Sequence, residues 1–165
     1  MTQNLRPVAI GEIIVSNNGD DVLVAYGLGS CVAVCMYDPM LRVGSMLHAL
    51  LPTKPSDNIN RGKPTKFVDE GISLLLKQMQ KVGGKQIRYK AYLCGGAQML
   101  SIPNSTDAFN IGQRNIEAAE TMLKKMSIVI QARDTGGKAG RTVKLYVGSG
   151  QVTVRTLGHK EHVLA

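Results

Sequence analysis

The stretch Gly27-Leu28-Gly29-Ser30-Cys31 sets a thiol directly behind two closely spaced glycines, with apolar segments on either side. Glycines two apart permit a tight turn and let a ligand come close to the backbone. A turn there leaves main-chain N–H groups outside a strand ladder, where they can face an anionic oxygen. A cysteine so placed has the makings of a nucleophile, with the backbone of Gly29 and Ser30 as oxyanion donors. The competing reading is a buried cysteine opening a core strand, a common fate of free thiols. Other chemistries fit worse. A dinucleotide fingerprint needs a third glycine and a following helix, whereas Val32-Ala33-Val34 favours a strand. Cys31 and Cys35, four residues apart on a strand, would lie about 13 Å apart. That is too far for a shared zinc ion, with Zn–S bonds of ~2.3 Å, or for a disulfide. Cys35 therefore reads as core and Cys94, beside Gly95-Gly96, as packing.

His48 is the sole histidine before residue 159 and sits in the apolar run 43–51. A buried imidazole needs a hydrogen-bond partner, so a satisfied core histidine is one reading. Asp38-Pro39-Met40-Leu41-Arg42 suggests a second. As a hairpin connection it brings 43–51 back antiparallel to 31–37 and returns His48 to the Cys31 end. Such a Cys–His pair would lower the thiol pKa and supply thiolate at neutral pH. His159 and His162 read as solvated residues of a frayed tail.

The elements that must carry these groups follow from periodicity. Segments 8–15, 21–27, 31–38 and 43–52 are short, Val-rich and bounded by Gly, Asn, Asp or Pro, as strands are. A polar loop occupies 53–65, the kind of long loop that is often functional. Apolar residues at helical spacing predict helices over 65–82 and 111–126. Strands are expected at 86–96, 127–133, 141–147 and 151–157, the last two joined as a hairpin by Gly148-Ser149-Gly150. Two amphipathic helices and about eight strands predict one α/β (α+β) domain with a largely antiparallel sheet and short flexible termini.

With 165 residues, 44% of them hydrophobic, the chain can bury one core without staples. No stretch approaches the ~20 apolar residues of a membrane span, and the N-terminal residues lack a signal-peptide pattern. Three cysteines, an odd number, then fit free thiols in a reducing cytoplasm. The net charge of +8 is scattered rather than clustered, and with no Trp and two Phe nothing is arranged to stack bases. Acidic protein partners are expected in place of nucleic acid or direct membrane insertion.

The run GLGSCVAVCMYDP followed by GSMLHALLP resembles the CheD chemotaxis family. The resemblance continues at Cys94-Gly95-Gly96-Ala97, at Asn110 through Asn115, and at Asp134-Thr135-Gly136-Gly137 with Arg141. It implies an α/β sandwich like that of deamidating bacterial toxins, and glutamine deamidation of methyl-accepting chemotaxis receptors without cofactor or metal. It also implies Cys31 as nucleophile and His48 as base, with a CheC-type phosphatase as a partner in some members. The family's third residue is a threonine six positions before the cysteine, where this chain has Ala25. A carbonyl, a water or Ser30 would then have to orient the imidazole. Should none do so, the alternative is a weakly catalytic module that regulates the phosphatase. Methylesterase activity would use the same acyl chemistry. Asn110 and Arg114 are expected to brace the second helix rather than meet substrate, and the glycine-rich stretches 95–96 and 134–140 to shape the cleft.

Overall fold

Two segments of the chain are buried at every position, 32–38 and 43–49, so each needs a covering layer on both faces. The computed structural model, which describes residues 2–57, 62–99 and 110–165, supplies those layers. In chain order the elements are β1 (Asn4–Pro7), β2 (Glu12–Ser16), β3 (Asp21–Leu28), β4 (Val32–Asp38), β5 (Val43–Ala49) and α1 (Val68–Lys81). There follow β6 (Lys90–Gly95), α2 (Ile111–Lys125), β7 (Ile130–Thr135), β8 (Arg141–Tyr146), β9 (Val152–Thr156) and β10 (His162–Val163). One sheet runs β1-β3-β8-β9-β10 and the other β2-β5-β4-β6-β7. Pairing is antiparallel except for β1 with β3 and β6 with β7. The predicted mixed α+β sandwich with largely antiparallel sheets is the observed architecture.

Alternation along β4 and β5 divides the core in two. Val32, Val34, Met36, Leu47 and Ala49 face the helices, together with Ile72, Leu75, Ile116 and Leu123. Cys31, Ala33, Cys35 and Met46 face the other sheet, meeting Leu23, Ala25, Val143 and Leu145. Each fully buried aliphatic side chain contributes about 1.5–3 kcal/mol, and both clusters hold many. Helix α1 buries Val68, Gly71, Ile72, Leu75, Leu76 and Met79. Gly71 rests against Leu47 so closely that a Cβ there would lie 2.8 Å from two of its carbons.

The β4–β5 hairpin fixes the register that matters for the site. Its turn is held by the buried Asp38 carboxylate, which accepts from Met40 N–H at 3.1 Å and from Arg88 Nη2 at 2.7 Å. The ladder then pairs Asp38 with Val43 and Ala33 with His48.

Two expectations need correction. The segment 8–15 is no single strand: the chain leaves β1 at Pro7, turns at Gly11 (φ 78°) and enters the opposite sheet as β2. Apolar runs on both sides of that crossing conceal it from periodicity. The C-terminal residues are not a frayed tail either. His162 and Val163 pair with Val154 and Thr153, and Leu164 packs on the inter-sheet core. The tail is too short and polar to show a period, and it is held mainly by main-chain bonds such as Leu164 N–H to Val152 O at 2.8 Å.

Candidate active site

Cys31 lies where the chain leaves the turn after β3 and starts β4. Gly27 takes φ 62°, which a side chain rarely tolerates, and this allows β3 to break register with β8 between Ala25 and Leu28. The turn is anchored from outside. Gly96 N–H donates to Cys31 O at 2.8 Å, and Ala97 N–H to Gly29 O at 2.9 Å. The 134–140 loop is tied in turn to this layer, Gly136 N–H donating to Gly95 O at 3.0 Å and Gln98 N–H to Gly137 O at 2.9 Å. An ion pair at 2.9 Å between the buried Arg141 and the half-buried Asp134 braces that loop. The two glycine-rich stretches thus stack in turn behind the cysteine, 95–96 against its turn and 134–140 against 95–98.

His48 shares the inter-sheet face with Cys31. Its ladder partner Ala33 is two residues from Cys31, so the two side chains are diagonal neighbours across β4 and β5. Both are nearly sealed from solvent, Cys31 at 7% and His48 at 4% exposure. The imidazole Nδ1 lies 2.9 Å from the carbonyl oxygen of Val8. A carbonyl only accepts, so Nδ1 carries the proton and Nε2 is left with a lone pair. Among the described residues Nε2 has no hydrogen-bond partner. A buried ring nitrogen with a free lone pair, on the face it shares with a thiol, has the chemistry a general base needs, and catalytic hydrogen bonds commonly tighten only when substrate arrives.

The electrostatics favour the neutral forms of both groups. Burial pushes the Cys31 thiol up, while its own backbone N–H pulls it partly back. Burial likewise pulls His48 down, against the Val8 carbonyl and the Glu12 carboxylate, which raise it. The thiolate expected from a Cys–His pair is therefore not the resting state: desolvation dominates the thiol, and Nε2 makes no hydrogen bond among the described residues. Because the folded His48 binds its proton less readily than the unfolded chain, stability is fully present above the unfolded value, ~6.5. It is lost as pH falls below that. Thermal midpoints should accordingly begin to fall below about pH 6.5, before the carboxylates titrate, and His48→Gln should flatten that first decline. An identical profile in the variant would place the proton uptake elsewhere.

The other sequence candidates sort clearly. Cys35 and Cys94 are fully buried free thiols, Cys35 pushed well up and Cys94 up to about 12, chiefly by burial. Asn110 caps α2, its side chain accepting from Gln113 N–H at 3.4 Å. Arg114 lies with Thr53 and Asp69 along a surface groove between α1 and α2. His159 is exposed, and His162 approaches Asp134 at 3.5 Å. Ala25 is fully buried in the same inter-sheet cluster as Val8 and Cys31, so the missing hydroxyl falls beside the site. The 53–65 loop reaches past the described residues at 58–61. Among the described residues no group of His, Cys, Asp and Glu gathers as metal ligands would, and no helix is long and apolar enough to cross a membrane.

Three neighbours of the candidate pair escaped the sequence reading. The Val8 carbonyl is invisible as a residue type. Glu12 faces His48 in the β2–β5 ladder, a pairing that appears only once 8–15 is split. Asn115, fully buried on α2, donates from Nδ2 to Ser30 O at 2.9 Å and to Leu50 O at 3.0 Å.

Comparison with known proteins shows the family of the chain. The family model for CheD, described as chemotactic sensory transduction, matches residues 50–156, a segment that begins just after His48. Full-length relatives extend the match across the candidate pair. A Pyrococcus abyssi protein named "Probable chemoreceptor glutamine deamidase CheD" is 44% identical, covering 94% of this chain and 93% of its own. Relatives of the same name in Symbiobacterium thermophilum and Desulforamulus reducens are 38% and 46% identical, covering 98% and 82% of this chain and 98% and 81% of theirs. The solved structure of a Bacillus licheniformis hypothetical protein, YfiH, superposes with a TM-score of 0.47 at 12% identity over 83% of this chain and 60% of that one, too loose a likeness to bear on the site. Matched by a family model over most of its length and by relatives over nearly all of it, the chain belongs to the CheD family.

Proposed function

We propose that this protein deamidates glutamine side chains of chemoreceptors, with Cys31 as nucleophile and His48 as general base. The observation that carries the reading is the imidazole held through Nδ1 by the Val8 carbonyl, with Nε2 unpartnered on the face it shares with Cys31. The relatives' shared name supplies the substrate class.

As substrate enters, His48 Nε2 takes the Cys31 proton and the sulfur attacks the carboxamide carbon. The resulting oxyanion is met by backbone N–H groups of the Gly29–Cys31 turn. Glu12 favours the imidazolium formed in this step. His48 then returns the proton to the departing nitrogen, ammonia leaves, and a thioester remains. Water attacks the thioester as Nε2 accepts its proton, and collapse releases glutamate and the thiol. The neutral resting pair suits this sequence, because proton transfer accompanies attack instead of preceding it.

At the family's threonine position this chain has Ala25, and the Val8 carbonyl 2.9 Å from Nδ1 is the group that orients the imidazole in this reading. A carbonyl that already orients Nδ1 supports the catalytic reading over that of a weakly catalytic phosphatase regulator. Ala25→Thr should therefore leave kcat within about twofold, since a second hydrogen bond worth ~1 kcal/mol has no unmet group to serve. A tenfold gain would show that the Val8 contact does not suffice.

The test of the function is ammonia release from purified cytoplasmic fragments of chemoreceptors, with conversion of individual glutamines followed by peptide mass. Release that depends on enzyme supports the reading. Unchanged glutamines on receptor fragments from the protein's own genome would overturn it.

A further inference from the structure

We propose that Asn115 is a positioning residue for the reaction, aiming the Cys31 backbone N–H at the reacting centre by clamping the peptide ahead of it. The inference rests on the Cys31 reading above. The Ser30 carbonyl and the Cys31 N–H belong to one planar trans peptide, so they point in opposite directions and fixing one fixes the other. Asn115 holds that carbonyl at 2.9 Å. Its second Nδ2 proton goes to Leu50 O at 3.0 Å, on the strand exit two residues past His48. The β4–β5 ladder ends at Val32 and Ala49. One carboxamide thus continues the strand pairing just where the two strands separate, and it joins the residue before the thiol to the segment behind the base.

The carboxamide has only one possible orientation. Two carbonyls accept and cannot donate, so both must face the NH2 group. This leaves Oδ1 buried without a partner among the described residues. Burying an unmet acceptor costs stability, and a residue kept only to pack α2 would have no need of it. The Cys31 N–H also bears on the thiol itself, pulling it partly back against the effect of burial.

Asn115→Ala removes both donations, and Asn115→Thr keeps one hydroxyl donor that can serve a single carbonyl. The first readout is iodoacetamide alkylation of Cys31 across pH, with the adduct located by peptide mass, which needs no receptor. The second is the split of kcat and KM for ammonia release. With the peptide freed, the alkylation midpoint should rise and kcat should fall about 10–100-fold in the Ala variant, KM being unchanged, with Thr intermediate. A folded Ala variant with wild-type alkylation and kcat overturns the proposal. So does loss of folding in both variants, which would make Asn115 a fold determinant only. A shifted alkylation profile in a protein whose wild type releases no ammonia would instead sink the receptor reading and leave the clamp standing.

Discussion

Cys31→Ala should abolish ammonia release, by about four orders of magnitude or more, while the protein remains folded. The size follows from the mechanism: without sulfur no thioester forms, and the remaining groups can only help water attack an unactivated amide. The fold should tolerate the change. The side chain removed is small, sits at the first position of the inter-sheet layer and makes no side-chain hydrogen bond among the described residues. Loss of one buried sulfur costs about 1 kcal/mol, or roughly 2–4 °C in thermal midpoint for a chain of this size. Acid quenching of wild type with a receptor fragment should trap a covalent adduct on the Cys31 peptide, absent in the variant. Cys35→Ala is the matched control, since that thiol is fully buried and held protonated. Activity that survives Cys31→Ala, or disappears equally with Cys35→Ala, would remove the thiol from the mechanism.

Gly95→Ala should be the most damaging of the small substitutions away from the reacting atoms. Gly95 adopts φ 106°, outside the range an L side chain accepts, and a Cβ there would lie 2.3 Å from the Cys31 carbonyl oxygen. The atom it meets is backbone, so no rotamer can relieve the overlap; the Cys31 turn or β6 must move. Strain and displacement together should cost about 3 kcal/mol or more, a fall in thermal midpoint of roughly 6–12 °C. Any shift large enough to clear the contact also disturbs the neighbouring Gly96–Cys31 bond, so kcat should fall by at least about a hundredfold in whatever remains folded. Gly136→Ala separates the two causes. Gly136 also has a positive φ (82°), but its Cβ would meet nothing within 4 Å. It should therefore show the strain without the clash, with a smaller stability loss and nearly full activity. Equal losses at the two positions would refute the close-approach argument.

The sequence was most legible where side-chain chemistry and period coincide. Val-rich β4 and β5, joined by an Asp-Pro turn, placed His48 beside the Cys31 end before any coordinates, and the ladder pairs it with Ala33. Both helices appear within about three residues of expectation because Gly and Asn punctuate them. Failures arose where backbone did the work. The segment 8–15 looked like one strand because Val8 and Ile10 continue the apolar pattern into Ile13 and Ile14, although Gly11 turns the chain between sheets. With that crossing unseen, neither the Val8 carbonyl nor the Glu12–His48 pairing could be read. The C-terminal strand was missed for the same reason: two residues of main-chain pairing leave no mark on composition. Asn115 stood in view within a motif, but its role depends on which two carbonyls converge on it, a fact of tertiary geometry alone.

The crossing between β1 and β2 has a further consequence. Because the group that steers the imidazole is a peptide oxygen, every amino acid placed at position 8 carries it. No substitution scan of side chains would reveal it, and no reversion would be needed to restore it. In the proposed mechanism, position 25 then has no imidazole to orient. The vulnerable quantity is the length of the connection between the two strands. A one-residue deletion at positions 8–10 should silence the enzyme as thoroughly as losing the histidine, whereas point substitutions there leave the carbonyl in the chain.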